Sequence, residues 1–232
     1  MKKELPPSPE PLPRPVVDSH CHLDTAERVT GLSPVDALTR AAEANITRIV
    51  QIGCDVAGSR WAVAAAQIHP EVVATVALHP NVAARMTREE LSAALEELDE
   101  LATGDRVRGI GESGLDYYRT REPDGHQRQH ESFAAHIALA KKHDKTLVIH
   151  DRDAHDDILA MLDTEGVPER FVMHCFSGDA AFARACMDRG GYLSFPGPVT
   201  YKANEELREA LRVTPADRVL VETDAPYLAP VP

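Results

Sequence analysis

Several features that define other protein classes are missing from this sequence. No apolar run approaches the roughly 18 residues that a membrane-spanning helix needs. Lys2 and Lys3 open the chain, but no apolar segment follows them, so the N-terminus does not have the pattern of a signal peptide. The cysteines form no Cys-x-x-Cys pair; they lie far apart at Cys21, Cys54, Cys175 and Cys186. We therefore expect reduced thiols in a cytoplasmic protein.

An excess of positive charge is also missing. The chain has 25 basic and 37 acidic residues, which gives a net charge of −12. This balance argues against a protein that coats duplex DNA through a basic face. It still allows an acidic pocket that meets phosphate through bound cations, because the charge of the metal reverses the local electrostatics.

Prolines and short apolar runs define the organisation of the chain. Six prolines lie between positions 6 and 15, and we expect residues 1–15 to form a disordered or polyproline leader. From residue 16 to 232, short apolar strands alternate with amphipathic helical segments. The predicted strands are Val16–His22, Ile46–Ile52, Val72–Leu78, Val107–Gly111, Leu147–Ile149, Phe171–Met173, Tyr192–Phe195 and Val219–Val221. Eight such units favour a closed (β/α)8 TIM barrel. Because the chain stops at Pro232, we expect this barrel to lack its last helix.

Polar residues of metal-ligand type recur where these strands end. His20 and His22 are two residues apart, so an extended strand points both imidazoles to the same side. Later strands end near a carboxylate or an imidazole, and in such a barrel the carboxyl ends of all strands share one mouth. The predicted metal ligands are His20, His22, Glu112, His150, His174 and Asp224.

Six ligands are too many for one catalytic zinc ion, which takes three protein ligands and water. They suit two divalent cations that share a carboxylate. Glu112 is the expected bridge, and the run from Arg108 to Glu112 contains no lysine to take its place. We expect one cation to bind His20, His22, Glu112 and Asp224, and the other to bind Glu112, His150 and His174.

The roles of other residues at the mouth stay open at this point. Asp224 is a candidate general base beside the metals or, alternatively, a turn residue. His79 either contacts substrate, orients a ligand or caps its strand. Arg152 either holds a phosphate or pairs with nearby aspartates. Tyr118 either stacks on a base or anchors its loop.

Five motifs make the chain resemble the TatD-type metal-dependent deoxyribonucleases of the amidohydrolase superfamily. They are Asp18-Ser-His-Cys-His-Leu23, Gly109-Ile-Gly-Glu-Ser-Gly-Leu-Asp-Tyr-Tyr118, Ile149-His-Asp-Arg-Asp-Ala154, His174-Cys-Phe-Ser-Gly178 and Glu222-Thr-Asp-Ala-Pro-Tyr-Leu228. The resemblance implies a TIM barrel, a two-metal site that usually works with magnesium, and hydrolysis of DNA phosphodiesters, often by 3′-to-5′ trimming. The chain departs from the family pattern at Asn81, where a second histidine is usual.

These observations predict a two-metal hydrolase that cleaves DNA, as a 3′-to-5′ exodeoxyribonuclease on single-stranded or frayed ends. Asp224 and Glu112 are its predicted catalytic residues, and His79, Arg152 and Tyr118 are its predicted substrate contacts. Mixed nitrogen and oxygen ligands also suit zinc or manganese. The alternative is a metallohydrolase of small esters, amides or phosphoesters on the same barrel. We expect no membrane contact and no obligate protein partner.

Overall fold

The protein is a barrel of eight parallel strands. A computed structural model describes residues 8–231. The strands pair in chain order, each with the next, through parallel ladders from the first to the eighth. They are β1 Val16–Cys21, β2 Ile46–Gln51, β3 Val72–Val76, β4 Val107–Asp116, β5 Thr146–Arg152, β6 Phe171–Met173, β7 Tyr192–Phe195 and β8 Val219–Val221. The predicted TIM barrel is confirmed.

Helices connect the strands and cover the outside of the barrel. They are α1 Leu23–Thr30, α2 Pro34–Glu43, α3 Val56–Ile68, α4 Pro80–Ala83, α5 Arg88–Leu101, α6 Pro123–Lys142, α7 His155–Glu165, α8 Ala180–Asp188 and α9 Glu205–Val213, with a short 3-10 helix at Gly197–Thr200. Several helices, α2 and α5 among them, begin with side-chain caps. At the start of α2, the Ser33 side chain accepts a hydrogen bond from the backbone N–H of Asp36, and Pro34 is the first helical residue. At the start of α5, Thr87 and Glu90 form a reciprocal capping box. None of the helices within residues 8–231 is long and apolar enough to cross a membrane.

The core lies between the strands and the helices. Phe133 and Ile137 of α6, Leu98 of α5 and Leu162 of α7 are fully buried. They face strand residues such as Ile110, and each buried side chain of this size contributes about 1.5–3 kcal/mol to the free energy of folding. This packing fixes the strands, and the strands in turn position the polar residues at their ends.

The barrel is closed by the segment that follows β8. The backbone N–H of Asp224 donates to the carbonyl of His20 at 2.9 Å, and the N–H of His22 donates to the carbonyl of Ala225 at 2.9 Å. The Ser19 hydroxyl also donates to the carbonyl of Val221 at 3.0 Å. Asp224 is therefore held against β1 by backbone hydrogen bonds. As far as the described chain extends past β8, it forms turns and extended backbone and no helix.

Leu12, in the described part of the leader, is bound to the barrel. Residues 1–7 lie outside the described part of the chain, so the expectation of disorder is untested there. Residues 8–15 form no helix or strand. The N–H of Leu12 donates to the carbonyl of Ala44 at 3.1 Å, and the Asn45 amide donates to the carbonyl of Leu12 at 2.7 Å. These bonds hold this part of the leader beside the start of β2.

Strand β4 is longer than the sequence pattern predicts, and it contains a bulge. It continues to Asp116 instead of ending at Gly111. Ile110 pairs with Leu147 and Ser113 pairs with Ile149, so β4 takes three steps where β5 takes two. The extra residue falls at Gly111 and Glu112, and bulges of this kind redirect a side chain. Glu112 therefore lies inside the strand, at an irregularity, and is buried.

Gly114 is expected to tolerate no side chain. Its φ is +148°, and a Cβ there would lie 2.0 Å from the carbonyl oxygen of His150. Because backbone strain and overpacking each cost about 1–3 kcal/mol, we expect Gly114→Ala to lower the free energy of unfolding by about 3 kcal/mol or more in urea titrations. Gly31 is the matched control, since its φ is +72° with nothing within 4 Å of a Cβ. Gly31→Ala should cost only about 1–2 kcal/mol. Equal losses in the two variants would contradict the close contact.

Candidate metal centre

Glu112 lies at the centre of the polar residues at the barrel mouth. Its two carboxylate oxygens face different groups of imidazoles. Oε1 lies 3.8 Å from Nε2 of His20 and 3.8 Å from Nε2 of His22. Oε2 lies 2.7 Å from Nε2 of His174 and 3.2 Å from Nδ1 of His150. One buried carboxylate thus joins the histidines of β1 to those that follow β4, which is the arrangement expected of a bridging ligand.

Asp224 completes the group on the β1 side. Its Oδ1 lies 3.3 Å from Nε2 of His22 and 3.7 Å from Nε2 of His20. The turn that carries it is fixed by Asp18, which accepts the Thr223 N–H at 3.0 Å and the Thr223 hydroxyl at 2.6 Å. Burial outweighs these hydrogen bonds and raises the pKa of Asp18 to about 6.

The donor set fits divalent cations. His20 is completely buried, yet neither of its ring nitrogens has a hydrogen-bond partner. Unsatisfied buried nitrogens are costly unless something binds them. Several groups of described residues at this mouth have ligand atoms within 4.8 Å of one another, including His20 with His22 and Asp224, His20 with Glu112 and His174, and His79 with Glu112 and His150. The structure thus brings all six predicted ligands together; their role as ligands stays a prediction.

Two carboxylates that were not among the predicted site residues contact the imidazoles of His150 and His174. Asp116 Oδ2 lies 3.3 Å from Nε2 of His150, and Glu222 Oε1 lies 3.3 Å from Nδ1 of His174. Carboxylates in this position fix the ring orientation of metal-binding histidines and make them stronger ligands. Their spacing was a usable signal. Asp116 is four residues after Glu112 and Glu222 is two before Asp224, so both lie close along the chain to a predicted ligand.

Burial and neighbouring charges shift the pKa values of the residues in this cluster in different directions. Burial, with the nearby charge of His174, lowers the pKa of His20 well below its usual value. Burial opposes ionisation of Glu112, but the charge of His174 and the hydrogen bonds from His150 and His174 outweigh it and hold the Glu112 pKa well below the usual range. Burial likewise opposes protonation of His174, but Glu112 and Glu222 raise its pKa well above the usual value. Without a metal, a proton on His174 therefore balances the negative charge of Glu112.

These directions predict how metal stabilisation depends on pH. Burial lowers the pKa of each of His22, His150 and His174, but nearby carboxylates outweigh it and raise all three pKa values. The carboxylate is Asp224 for His22. For His150 the carboxylates are Asp116 and Glu112, and for His174 they are Glu112 and Glu222. A raised pKa stabilises the metal-free fold fully below the unfolded value of about 6.5, and this stability is lost as pH rises through the folded values. A cation must displace the same protons, so its affinity rises with pH.

We therefore expect the increase in Tm caused by Mn²⁺ to be larger at pH 8 than at pH 6. Each proton released contributes up to about tenfold in affinity per pH unit. Differential scanning fluorimetry with Mn²⁺ or with chelator, in matched buffers, measures this increase at each pH. A Mn²⁺ shift that shrinks between pH 6 and pH 8 would show that protons and cations do not compete for these histidines.

His79 contacts the start of α4, Glu112 and the ring of His150. Its Nδ1 accepts the backbone N–H of Asn81 at 3.1 Å and so caps α4, and its Nε2 lies 4.0 Å from Glu112 Oε2. Burial lowers the pKa of His79 to about 3, so the ring is neutral. Asn81 donates from its side chain to Asp116 at 2.8 Å. The residue at which the chain departs from the family pattern thus supports the carboxylate behind His150.

Arg152 and Tyr118 form a pair at the rim. The guanidinium carbon of Arg152 lies 4.0 Å from the centre of the Tyr118 ring, and half of Tyr118 is exposed. Within residues 8–231, Asp151 pairs with His155 instead of Arg152. Tyr117 is a loop anchor, because its hydroxyl contacts His130 at 2.6 Å and Asp157 at 2.5 Å. Only Tyr118 of the two tyrosines therefore presents a free ring face at the mouth.

Comparison with known proteins shows the family of this chain. A family model described as TatD related DNase matches residues 17–232. The chain belongs to the TatD family. A TatD relative of Mycobacterium tuberculosis, named as an uncharacterized metal-dependent hydrolase, is 43% identical over 220 residues, which cover 94% of this chain and 82% of the relative. The resemblance seen in the sequence motifs is confirmed, and the chain is a metal-dependent hydrolase of the TatD family.

Two further TatD proteins bear on fold and activity. The Salmonella typhimurium protein named 3′-5′ ssDNA/RNA exonuclease TatD is 33% identical over 198 residues, which cover 84% of this chain and 74% of that protein. The crystal structure of YJJV, a TatD homologue from Escherichia coli K12, superposes with a TM-score of 0.82 at 27% identity. That match covers 92% of this TatD-family chain and 80% of YJJV.

Proposed function

We propose that this protein uses two divalent cations to hydrolyse DNA phosphodiester bonds, trimming single-stranded or frayed ends from 3′ to 5′. The observation that carries the proposal is the division of imidazoles between the two oxygens of Glu112. The activity named for the Salmonella relative supports the substrate class and the polarity. Four free cysteines agree with a cytoplasmic setting.

The proposed ligands divide at Glu112. His20, His22 and Asp224 join Glu112 on one side, and His150 and His174 join it on the other. When bound, divalent cations supply positive charge for the phosphoryl oxygens and make water a better nucleophile. We favour magnesium for activity on the basis of the family, while the imidazole-rich donor set also suits manganese or zinc.

The chain's own residues supply the remaining chemistry. The Asp224 carboxylate accepts a proton from the attacking water, as general bases at hydrolytic sites do. The Arg152 guanidinium balances the charge of a substrate phosphate through paired hydrogen bonds. His79, which is neutral, contacts the substrate beside Glu112. The exposed face of Tyr118 stacks on a terminal base.

Single strands suit this molecule better than long duplexes. With a net charge of −12, the surface as a whole repels a polyanion. Attraction is limited to the mouth, where cations and Arg152 lie together. A flexible end can enter that mouth with few phosphates near the acidic surface, so we propose short or frayed ends as substrates and expect no protein partner to be required.

The proposal is tested with metal-free protein supplied with Mg²⁺, Mn²⁺ or Zn²⁺. Single-stranded DNA carrying a 5′ label should yield a ladder that shortens one nucleotide at a time, while a 3′ label should be released first as a mononucleotide. Duplex DNA with blunt ends and a panel of small esters, amides and phosphomonoesters run in parallel. Intact DNA together with rapid cleavage of a small ester would replace the nuclease with the alternative small-molecule hydrolase.

Loss of the Tyr118 ring is expected to weaken DNA binding. Since stacking on an aromatic ring contributes about 1–3 kcal/mol per base, Tyr118→Leu should raise KM for single-stranded DNA by about 5-fold or more and leave kcat nearly unchanged. The matched control is Tyr192→Leu, which removes the ring of the Arg218–Tyr192 pair elsewhere on the barrel. Steady-state kinetics on both variants decide the point, and a rise in KM for Tyr192→Leu alone would contradict the assignment.

A further inference from the structure

Cys54 approaches the metal centre from a side that no predicted ligand uses. It lies in the loop between β2, which ends at Gln51, and α3, which begins at Val56. This loop reaches the same mouth as the other strand ends. The Cys54 thiol donates to Glu112 Oε1 at 3.4 Å, and its sulfur lies 3.7 Å from Nδ1 of His22. Cys54, His22 and Glu112 offer ligand atoms that all lie within 4.8 Å of one another.

These separations match those around one tetrahedral cation. With Zn–S near 2.3 Å and Zn–N or Zn–O near 2.0 Å, neighbouring ligands of a tetrahedral zinc stand about 3.5 Å apart. The sulfur-to-oxygen and sulfur-to-nitrogen distances of Cys54 lie on either side of that value. A second observation points to a cation as well. Fully buried His20 has no hydrogen bond to either ring nitrogen, and its Nε2 faces the same Glu112 oxygen.

We propose that Cys54, His22 and Glu112 form an additional position for a thiophilic divalent cation such as Zn²⁺, Co²⁺ or Cd²⁺. The ring of His22 supplies Nδ1 to this position, whereas its Nε2 faces Asp224 on the other side. Binding exchanges the thiol proton, which leaves to solvent, for a metal–sulfur bond. Three protein ligands leave one coordination site for water or a substrate oxygen.

The consequence is selectivity among metals. Soft thiolate ligands select zinc and its chemical relatives, whereas magnesium prefers oxygen ligands alone. Thiophilic cations should therefore bind the Cys54 position in competition with the bridging use of Glu112, and Mg²⁺ should not. This inference rests on the proposed metal centre, because it shares His22 and Glu112 with it.

Cobalt titration of the reduced, metal-free protein tests the position directly. We expect a sulfur-to-cobalt charge-transfer band in the near ultraviolet that disappears in Cys54→Ser. The control is Cys186→Ala, since Cys186 is buried in α8 and belongs to none of the groups of ligand atoms found among the described residues, and this variant should keep the band. The Tm of each variant establishes that it is folded. A band that survives in Cys54→Ser would assign the thiolate to another cysteine and overturn the proposal.

The affinities of Cys54→Ser for Cd²⁺ and Mn²⁺ provide a second test of the Cys54 position. Because loss of even an outer partner of a metal site costs about 10–100-fold in affinity, Cys54→Ser should bind Cd²⁺ at least about 10-fold more weakly in chelator competition, with Mn²⁺ affinity unchanged. Cobalt that binds with visible bands but no charge-transfer band would refute the Cys54 position and leave the proposed function intact. A protein that binds no cobalt at all, by elemental analysis, would refute both.

Discussion

Replacing Glu112 with glutamine is expected to lower kcat/KM on single-stranded DNA by at least about 10³-fold, because cations contribute several kcal/mol to stabilising the charge of the transition state. The amide removes the negative charge that both groups of histidines face. Its nitrogen, which takes the place of one carboxylate oxygen, can neither accept a hydrogen bond nor bind a cation. Kinetics on a 3′-labelled oligonucleotide at saturating Mg²⁺ measure the loss.

Metal content separates a lost ligand from a lost fold. Elemental analysis of Glu112→Gln should show reduced metal, while its far-ultraviolet circular dichroism stays that of the parent. The control is Glu97→Gln on the surface of α5, which loses only an exposed ion pair with Arg60 and should keep full activity. If Glu112→Gln binds two metal equivalents and turns over DNA like the parent, the bridging role of Glu112 is wrong.

The sequence was enough to predict the barrel and the set of residues at its mouth, for one physical reason. Parallel strands that are buried on both faces read as short apolar runs, and their carboxyl ends meet at one place. A histidine or carboxylate directly after such a run is therefore near every other one, whatever the distance along the chain. His20, His174 and Asp224 come together in this way although more than 150 residues separate the first two.

The details that the sequence did not reveal depend on register. The bulge at Glu112 is visible only when β4 is aligned with β5, and it explains why the central carboxylate lies inside a strand and not at its end. The supporting contacts of Asp116 and Glu222 also depend on ring orientations. Helix α1, Leu23–Thr30, has a weak sequence signal, because its eight residues contain few apolar positions and no side chain caps its start. Cys54 was missed because a lone cysteine carries no pattern.

The turn at Asp224 shows why its role needs kinetics as well as coordinates. Asp224 has a positive φ of 53°, and its backbone is bound to β1 through the carbonyl of His20. The backbone would hold this position with or without a carboxylate. We therefore expect the acidic side chain to matter for chemistry at the mouth more than for the fold, so that a change to asparagine should have little effect on stability.

Asp224→Asn is expected to lower kcat by about 10²–10⁴-fold, the usual contribution of a general base, with a much smaller change in KM for DNA. A weaker ligand and a lost base are distinguished by metal titration. If Asp224 only binds a cation, saturating Mn²⁺ should restore kcat. If it also accepts the proton of the attacking water, the deficit should remain at saturation and shrink as pH rises, because hydroxide then replaces the base.

The control for this variant is another aspartate at the same mouth. Asp55 caps α3 by accepting the N–H of Gly58 at 2.7 Å, and asparagine caps helices equally well, so Asp55→Asn should leave kcat, metal affinity and Tm unchanged. Asp55→Asn and Asp224→Asn each remove one negative charge, so a difference in kcat between the two variants cannot come from net charge. A kcat for Asp224→Asn that recovers fully with Mn²⁺ would limit Asp224 to metal binding, and the proton acceptor would then have to be found elsewhere at the mouth.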